Sequence, residues 1–212
     1  MSVLSLIFLA ALSTLFIIKA FLFAALSYQV SLLGHALFVF VGILIGVVVS
    51  GKADVFIHEL KHSIVSNLAG NKAKGMKVDK ETGHFEYTFT KQTSHLNAFI
   101  SLAPYTFPIF SLAFLPLAIL MFSKDPVIAR YMMSCALGID LLQSAEDVGP
   151  YQTDFSELRG GFFVGIIYVV CFNFILTCLV TIAIVFGYPA YQDFGYWLIS
   201  YASASLVELR NN

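Results

Sequence analysis

The 212-residue chain is 58% hydrophobic and 15% aromatic with only 12% charged residues, a composition expected of an integral membrane protein and not of a soluble domain. Its formal net charge of −1 supplies no basic field, which excludes nucleic acid as an expected partner. Cys135, Cys171 and Cys178 all fall in apolar stretches and read as small core residues, not as a disulfide framework or a thiolate metal site.

Apolar runs of the roughly 20 residues a bilayer crossing takes cover about 3–26, 34–57, 97–122, 127–146 and 161–187. A weaker amphipathic stretch at about 192–207 makes a sixth crossing or an interfacial helix. The expected fold is therefore an all-α polytopic membrane protein with five to six transmembrane helices, forming one domain over residues 1–212 without repeats or low-complexity tracts. The first run lacks a basic start and a small-residue cleavage signal, so it is expected to stay as a membrane helix. Lys19 within it has three readings: snorkelling to the interface, pairing with a carboxylate, or marking the end of the span.

The second run carries His58-Glu59-Leu60-Lys61-His62, an HExxH sequence. On a helix, residues four apart share a face, so His58 and His62 can hold one zinc ion while Glu59 acts as the base on a metal-bound water. Paired histidines on a helix are often only solvated. Here three ionisable groups, with Lys52 and Asp54 nearby, interrupt an apolar stretch where each is costly, which favours a catalytic site.

Between about 71 and 93 lies a polar insert. Lys72, Lys74, Lys77, Lys80 and Lys91 outnumber Asp79, Glu81 and Glu86 there, so by the positive-inside rule it is cytoplasmic. Counting crossings from it puts the N-terminus and the 147–160 loop on the same side, and the 123–126 turn outside. Gly70-Asn71 reads as a helix stop, and Phe85, Tyr87 and Phe89 alternate with polar neighbours at the period of a half-buried strand, making a small β-hairpin. The bland reading is an amphipathic surface loop. The functional one is an edge, Phe85, Glu86, Tyr87 and Thr88, that receives an extended substrate.

A catalytic zinc takes three protein ligands and leaves a fourth position for water, so the two histidines need a partner. Asp140 stands inside the fourth apolar run, where a carboxylate is by default functional. Asp154 follows the Gly149-Pro150 break, on the same expected face as the histidines, and with Glu157 it also reads as a helix cap. Glu146 or Glu157 would be the ligand in an HExxH class that uses a downstream Glu.

Together, the HExxH in an apolar helix, the β-like insert, Ser101-Leu102-Ala103-Pro104 and the later Pro150-Tyr151-Gln152-Thr153-Asp154-Phe155 resemble the site-2 protease family of intramembrane zinc metallopeptidases, over about residues 36–175. Thr153-Asp154-Phe155 stands where the family has Leu-Asp-Gly. The resemblance implies His58, His62 and Asp154 as ligands of one zinc ion, with Asp140 the runner-up, and Glu59 as base. It implies a metalloendopeptidase of the cell (inner) membrane, in contact with lipid, that cuts membrane-embedded or membrane-tethered proteins near the cytoplasmic face. The competing reading is a non-proteolytic metal-binding membrane protein, either a transporter or an inactive relative. Against the inactive form stands Glu59, because a structural or transport site has no need of a general base.

Overall fold

Prolines, glycines and charged residues divide the apolar runs into shorter pieces than their length suggests. A computed structural model describes residues 32–49, 52–79, 82–146, 148–156, 158, 160–182 and 187–211, with residues 10, 13, 14, 17–19 and 22. The helices are α1 (Leu32–Val49), α2 (Lys52–Leu68), α3 (Asn97–Ser101), α4 (Ala103–Thr106), α5 (Ile109–Phe122), α6 (Pro126–Glu146), α7 (Thr153–Ser156), α8 (Gly161–Val180) and α9 (Tyr188–Asn211). Strands β1 (Lys72–Val78) and β2 (Gly83–Thr88) form an antiparallel hairpin between α2 and α3.

The expected polytopic architecture of five to six crossings is corrected here. Among the described residues one helix, α8, is clearly long and apolar enough to cross a membrane. Residues 34–57 are shared between α1 and α2, which lie at 110° to each other, and α2 carries Lys52, Asp54, Glu59 and Lys61. Residues 97–122 are cut into α3, α4 and the 14-residue α5, too short for the roughly 20 residues of a crossing. The α6 helix is long enough but holds Arg130, Asp140 and Glu146, and α9 is polar along its first turns. The run at 3–26 lies mostly outside the described residues, though Lys19 is helical and exposed. Counting apolar residues in a window overlooks helix breaks, and here the breaks decide.

The α2 helix stops where expected. Gly70 takes a left-handed φ of +78°, and the Asn71 and Gly70 amides donate to the Ser66 and Asn67 carbonyls at 3.1 and 3.0 Å. This Schellman arrangement closes the helix and releases the chain into the hairpin. In the hairpin, β1 is exposed over most of its length whereas β2 alternates, with Phe85 and Tyr87 half-buried and His84, Glu86 and Thr88 outward. The register runs from Lys72 opposite Thr88 to Val78 opposite Gly83, with a bulge between Ala73 and Gly75.

The α1 and α6 helices cross with backbones almost touching. A Cβ on Gly42 would collide with the Cys135 carbonyl, and one on Gly138 with the Val39 carbonyl. Beside this crossing, buried His35 lies 2.6 Å from Ser134 Oγ and 3.1 Å from Thr181 Oγ1, tying α1 to α6 and to the turn after α8. A second apolar cluster joins Leu102 and Tyr105 to Phe155 and Val169, with Val148, Leu158 and Phe162 packed against it. This cluster places the short α7 beneath α4 and α8.

The break between α3 and α5 follows from Pro104 and Pro108. Each lacks an N–H, so the carbonyls four residues earlier, of Ile100 and Pro104, lose their helical donors. Beyond Pro108, α5 begins with exposed amides that need acceptors. Backbone groups freed inside an apolar fold are costly unless paired. Polar side chains from neighbouring helices pair them: His62 and Lys61 donate to the Ile100 and Pro104 carbonyls at 2.7 and 2.9 Å, and Asp140 accepts from the Phe110 and Ser111 amides at 3.0 and 2.7 Å.

Candidate metal centre

One helical turn separates His58 and His62 on α2, and their ring centroids are 5.1 Å apart. The third member arrives from α7: Asp154 Oδ2 lies 3.2 Å from His58 Nε2, and Oδ1 lies 3.5 Å from His62 Nε2. One ligand atom from each residue lies within 4.8 Å of the other two. Neighbouring ligands of a tetrahedral zinc with bonds near 2.1 Å stand about 3.4 Å apart. The two histidine–carboxylate separations match that spacing and the third lies within 4.8 Å, so two imidazoles and a carboxylate could hold a single metal ion here.

His62 is held in a usable form. A carbonyl can only accept, so the contact with Ile100 O requires the proton on Nδ1 and turns Nε2 toward Asp154. Pro104 thus acts on the site indirectly, by freeing the carbonyl that orients the ring.

Asp154 is partly buried, and burial alone would raise its pKa. Hydrogen bonds and charge from His58 and His62 outweigh that effect and hold the carboxyl well below the usual range. The Tyr105 hydroxyl also donates to Asp154 Oδ2, at 3.0 Å. Glu59, next to His58, is buried, and the loss of solvent raises its pKa; the nearby His62 and His58 pull it back only in part. A carboxyl shifted upward is better matched to taking up and returning a proton near neutral pH.

His58, Glu59, His62 and Asp154 line an open cavity of about 400 Å³ between α2, the start of β2 and the 152–154 segment. The hairpin forms its roof. A Cβ on Gly83 would lie 2.5 Å from Glu59 Cγ and Oε1, so with any other residue either β2 or the Glu59 side chain would have to shift. Phe85, Tyr87 and Ser101 line both this cavity and an adjoining groove of about 520 Å³, which Glu86 also borders. Thr88 lies apart, donating to the Lys72 carbonyl at 3.3 Å.

The other proposed ligands lie elsewhere. Asp140, the runner-up, is 3% exposed with both oxygens on the first amides of α5, so its burial reflects capping of a broken helix. Glu146 borders a small second cavity that also touches His58, Lys61 and Gln143 but does not join the cluster of His58, His62 and Asp154, and Glu157 is outside the described residues. Tyr105, the Ile100 carbonyl and Gly83 escaped the sequence reading. The two prolines spaced four apart were the available signal, because each marks a carbonyl in need of a donor.

No known family model, no curated protein and no solved structure matches the chain.

Proposed function

We propose that the protein is a zinc-dependent endopeptidase that hydrolyses peptide bonds of membrane-embedded or membrane-tethered proteins. The observation that carries this reading is the convergence of His58, His62 and Asp154 at ligand separations, with the buried Glu59 carboxyl in the same cavity. When bound, zinc supplies a Lewis acid for the scissile carbonyl and lowers the pKa of its water toward neutrality.

The chain's own residues do the rest. Glu59 accepts the proton of the attacking water and passes it to the leaving amine. His62, fixed by the Ile100 carbonyl, and Asp154, held by Tyr105, keep their donor atoms turned inward. A substrate segment must be extended to enter, since carbonyls in a helix are already hydrogen-bonded. The β2 edge, from Phe85 to Tyr87, receives that segment, and the adjoining groove takes its side chains. Anchoring by α8 brings the site to a membrane surface, with the lysine-rich hairpin on the cytoplasmic side of the cell (inner) membrane. The resemblance of HExxH and of the segment around Asp154 to site-2 proteases supports the same reaction.

The test separates metal binding from chemistry. The purified protein is expected to hold one zinc, and Glu59→Gln to keep that zinc while cleavage of a membrane-tethered model substrate falls by about 10²–10⁴-fold. Cleavage by Glu59→Gln at a rate comparable with the parent would overturn the mechanism. A zinc-free parent that cleaves equally well would overturn the metal assignment.

A further inference from the structure

We propose that Tyr105 is the positioning residue for the third metal ligand and that Asn173, on the apolar helix α8, holds Tyr105 in place. This rests on the metal-centre reading above and deepens it.

Tyr105 is fully buried, at 0% exposure, and a buried phenol needs a partner for its hydroxyl. That partner is Asp154 Oδ2, at 3.0 Å. The ring has little freedom to leave: its centroid lies 4.7 Å from that of Phe155, the residue after Asp154, and 5.7 Å from that of His58, which it meets edge-on at 87°. One side chain therefore touches both a histidine ligand and the carboxylate ligand. With Oδ2 engaged by a donor, rotation of the Asp154 carboxylate is restricted and Oδ1 stays beside His62 Nε2. Donors that hold a ligating carboxylate commonly sharpen metal affinity in this way.

The Tyr105 backbone is itself held from α8. Its carbonyl stands at the end of α4, where Phe107 turns extended and Pro108 follows. Asn173 Nδ2 donates to that carbonyl at 2.7 Å and to the Val169 carbonyl at 3.0 Å. An amide on a helix long and apolar enough to cross a membrane is costly to keep there unless it is used. Here it is used to link that helix, through Tyr105, to the zinc ligand.

The test is metal affinity in the full-length protein, measured by competition with a chromophoric chelator, together with the visible spectrum of the cobalt(II)-substituted form. Tyr105→Phe keeps the ring and removes only the hydroxyl. We expect zinc binding weakened by about 10- to 100-fold, an altered cobalt spectrum, and unchanged thermal unfolding of the metal-free protein. Asp154→Ala is the reference and should lose nearly all zinc. Loss in Asp154→Ala with unchanged affinity and spectrum in Tyr105→Phe overturns the role of Tyr105 alone. Retained zinc in Asp154→Ala overturns the three-ligand site and this role with it. Asn173→Leu leaves the hydroxyl present but unanchored; a loss of up to about tenfold is expected, and an unchanged affinity overturns the link to α8 and, should Tyr105→Phe fail to fold, the proposal as a whole.

Discussion

Asp140 and Asp154 look alike as isolated carboxylates in an apolar chain, yet their neighbours separate them. Asp154 faces two histidine nitrogens and a tyrosine hydroxyl. Asp140 faces two backbone amides in the first turn of α5, which have no acceptor within their own helix. Removing Asp140 should therefore cost stability and not metal. Asp140→Ala strips an acceptor from two amides, and a buried unsatisfied group costs about 1–3 kcal/mol. We expect a lowered unfolding midpoint with zinc stoichiometry unchanged; an Asp140→Ala protein that folds normally but is empty of zinc would return Asp140 to the metal site. Lys61 belongs to the same class of residue. Inside HExxH it is 1% exposed, and its ammonium serves the Pro104 carbonyl.

At the scale of elements, the α2 helix, the hairpin and the broken α3–α5 segment form one unit around the cavity. The helix supplies His58, Glu59 and His62, the break supplies the carbonyls that His62 and Lys61 need, and the hairpin roofs the base. Gly83 sets how low that roof sits. In Gly83→Ala a methyl group would meet the Glu59 carboxylate, so either β2 rises or Glu59 turns away. The expected result is cleavage reduced by about tenfold or more, as follows when a reacting group is displaced by an ångström, with zinc content at the parent level. Full activity in Gly83→Ala would show that β2 does not approach the base during turnover. The two-stranded hairpin is marginal alone, and its contact with α2 is what makes this placement definite.

For the whole molecule, α8 presents two different faces. One face packs on Tyr105 and Phe155 through Val169 and Gly165. Much of the rest is apolar and exposed, including Phe163, Val170, Phe172 and Phe174, and only 22% of its most apolar window is buried in protein. A core helix of a soluble protein would be mostly covered, so this exposure is what the proposed membrane anchoring by α8 requires. If α8 crosses, its two ends face opposite sides of the membrane. Single cysteines placed at Ser156 and Gln192 in a cysteine-free background should then react with an impermeant reagent from opposite faces of sealed vesicles; labelling of both from one face would rule out the crossing.

The sequence by itself determined the parts that depend on local spacing. The face shared by His58 and His62 follows from helical period, the end of α2 from Gly70, and the half-buried β2 from alternation of Phe85 and Tyr87. Its composition also marked the 161–187 run, within which α8 lies. It overestimated the crossings because apolar content adds along a chain whereas a crossing needs an unbroken helix, and Pro104, Pro108 and the 110° change of direction from α1 to α2 interrupt the runs. Only the tertiary structure decided which carboxylate faces the histidines. Asp154 stands 96 residues from His58, and no local rule spans that distance; packing of Phe155 against Tyr105 brings it there. The positions of Tyr105, Asn173 and Gly83 were hidden for the same reason, since each acts through a neighbour that is distant in the chain.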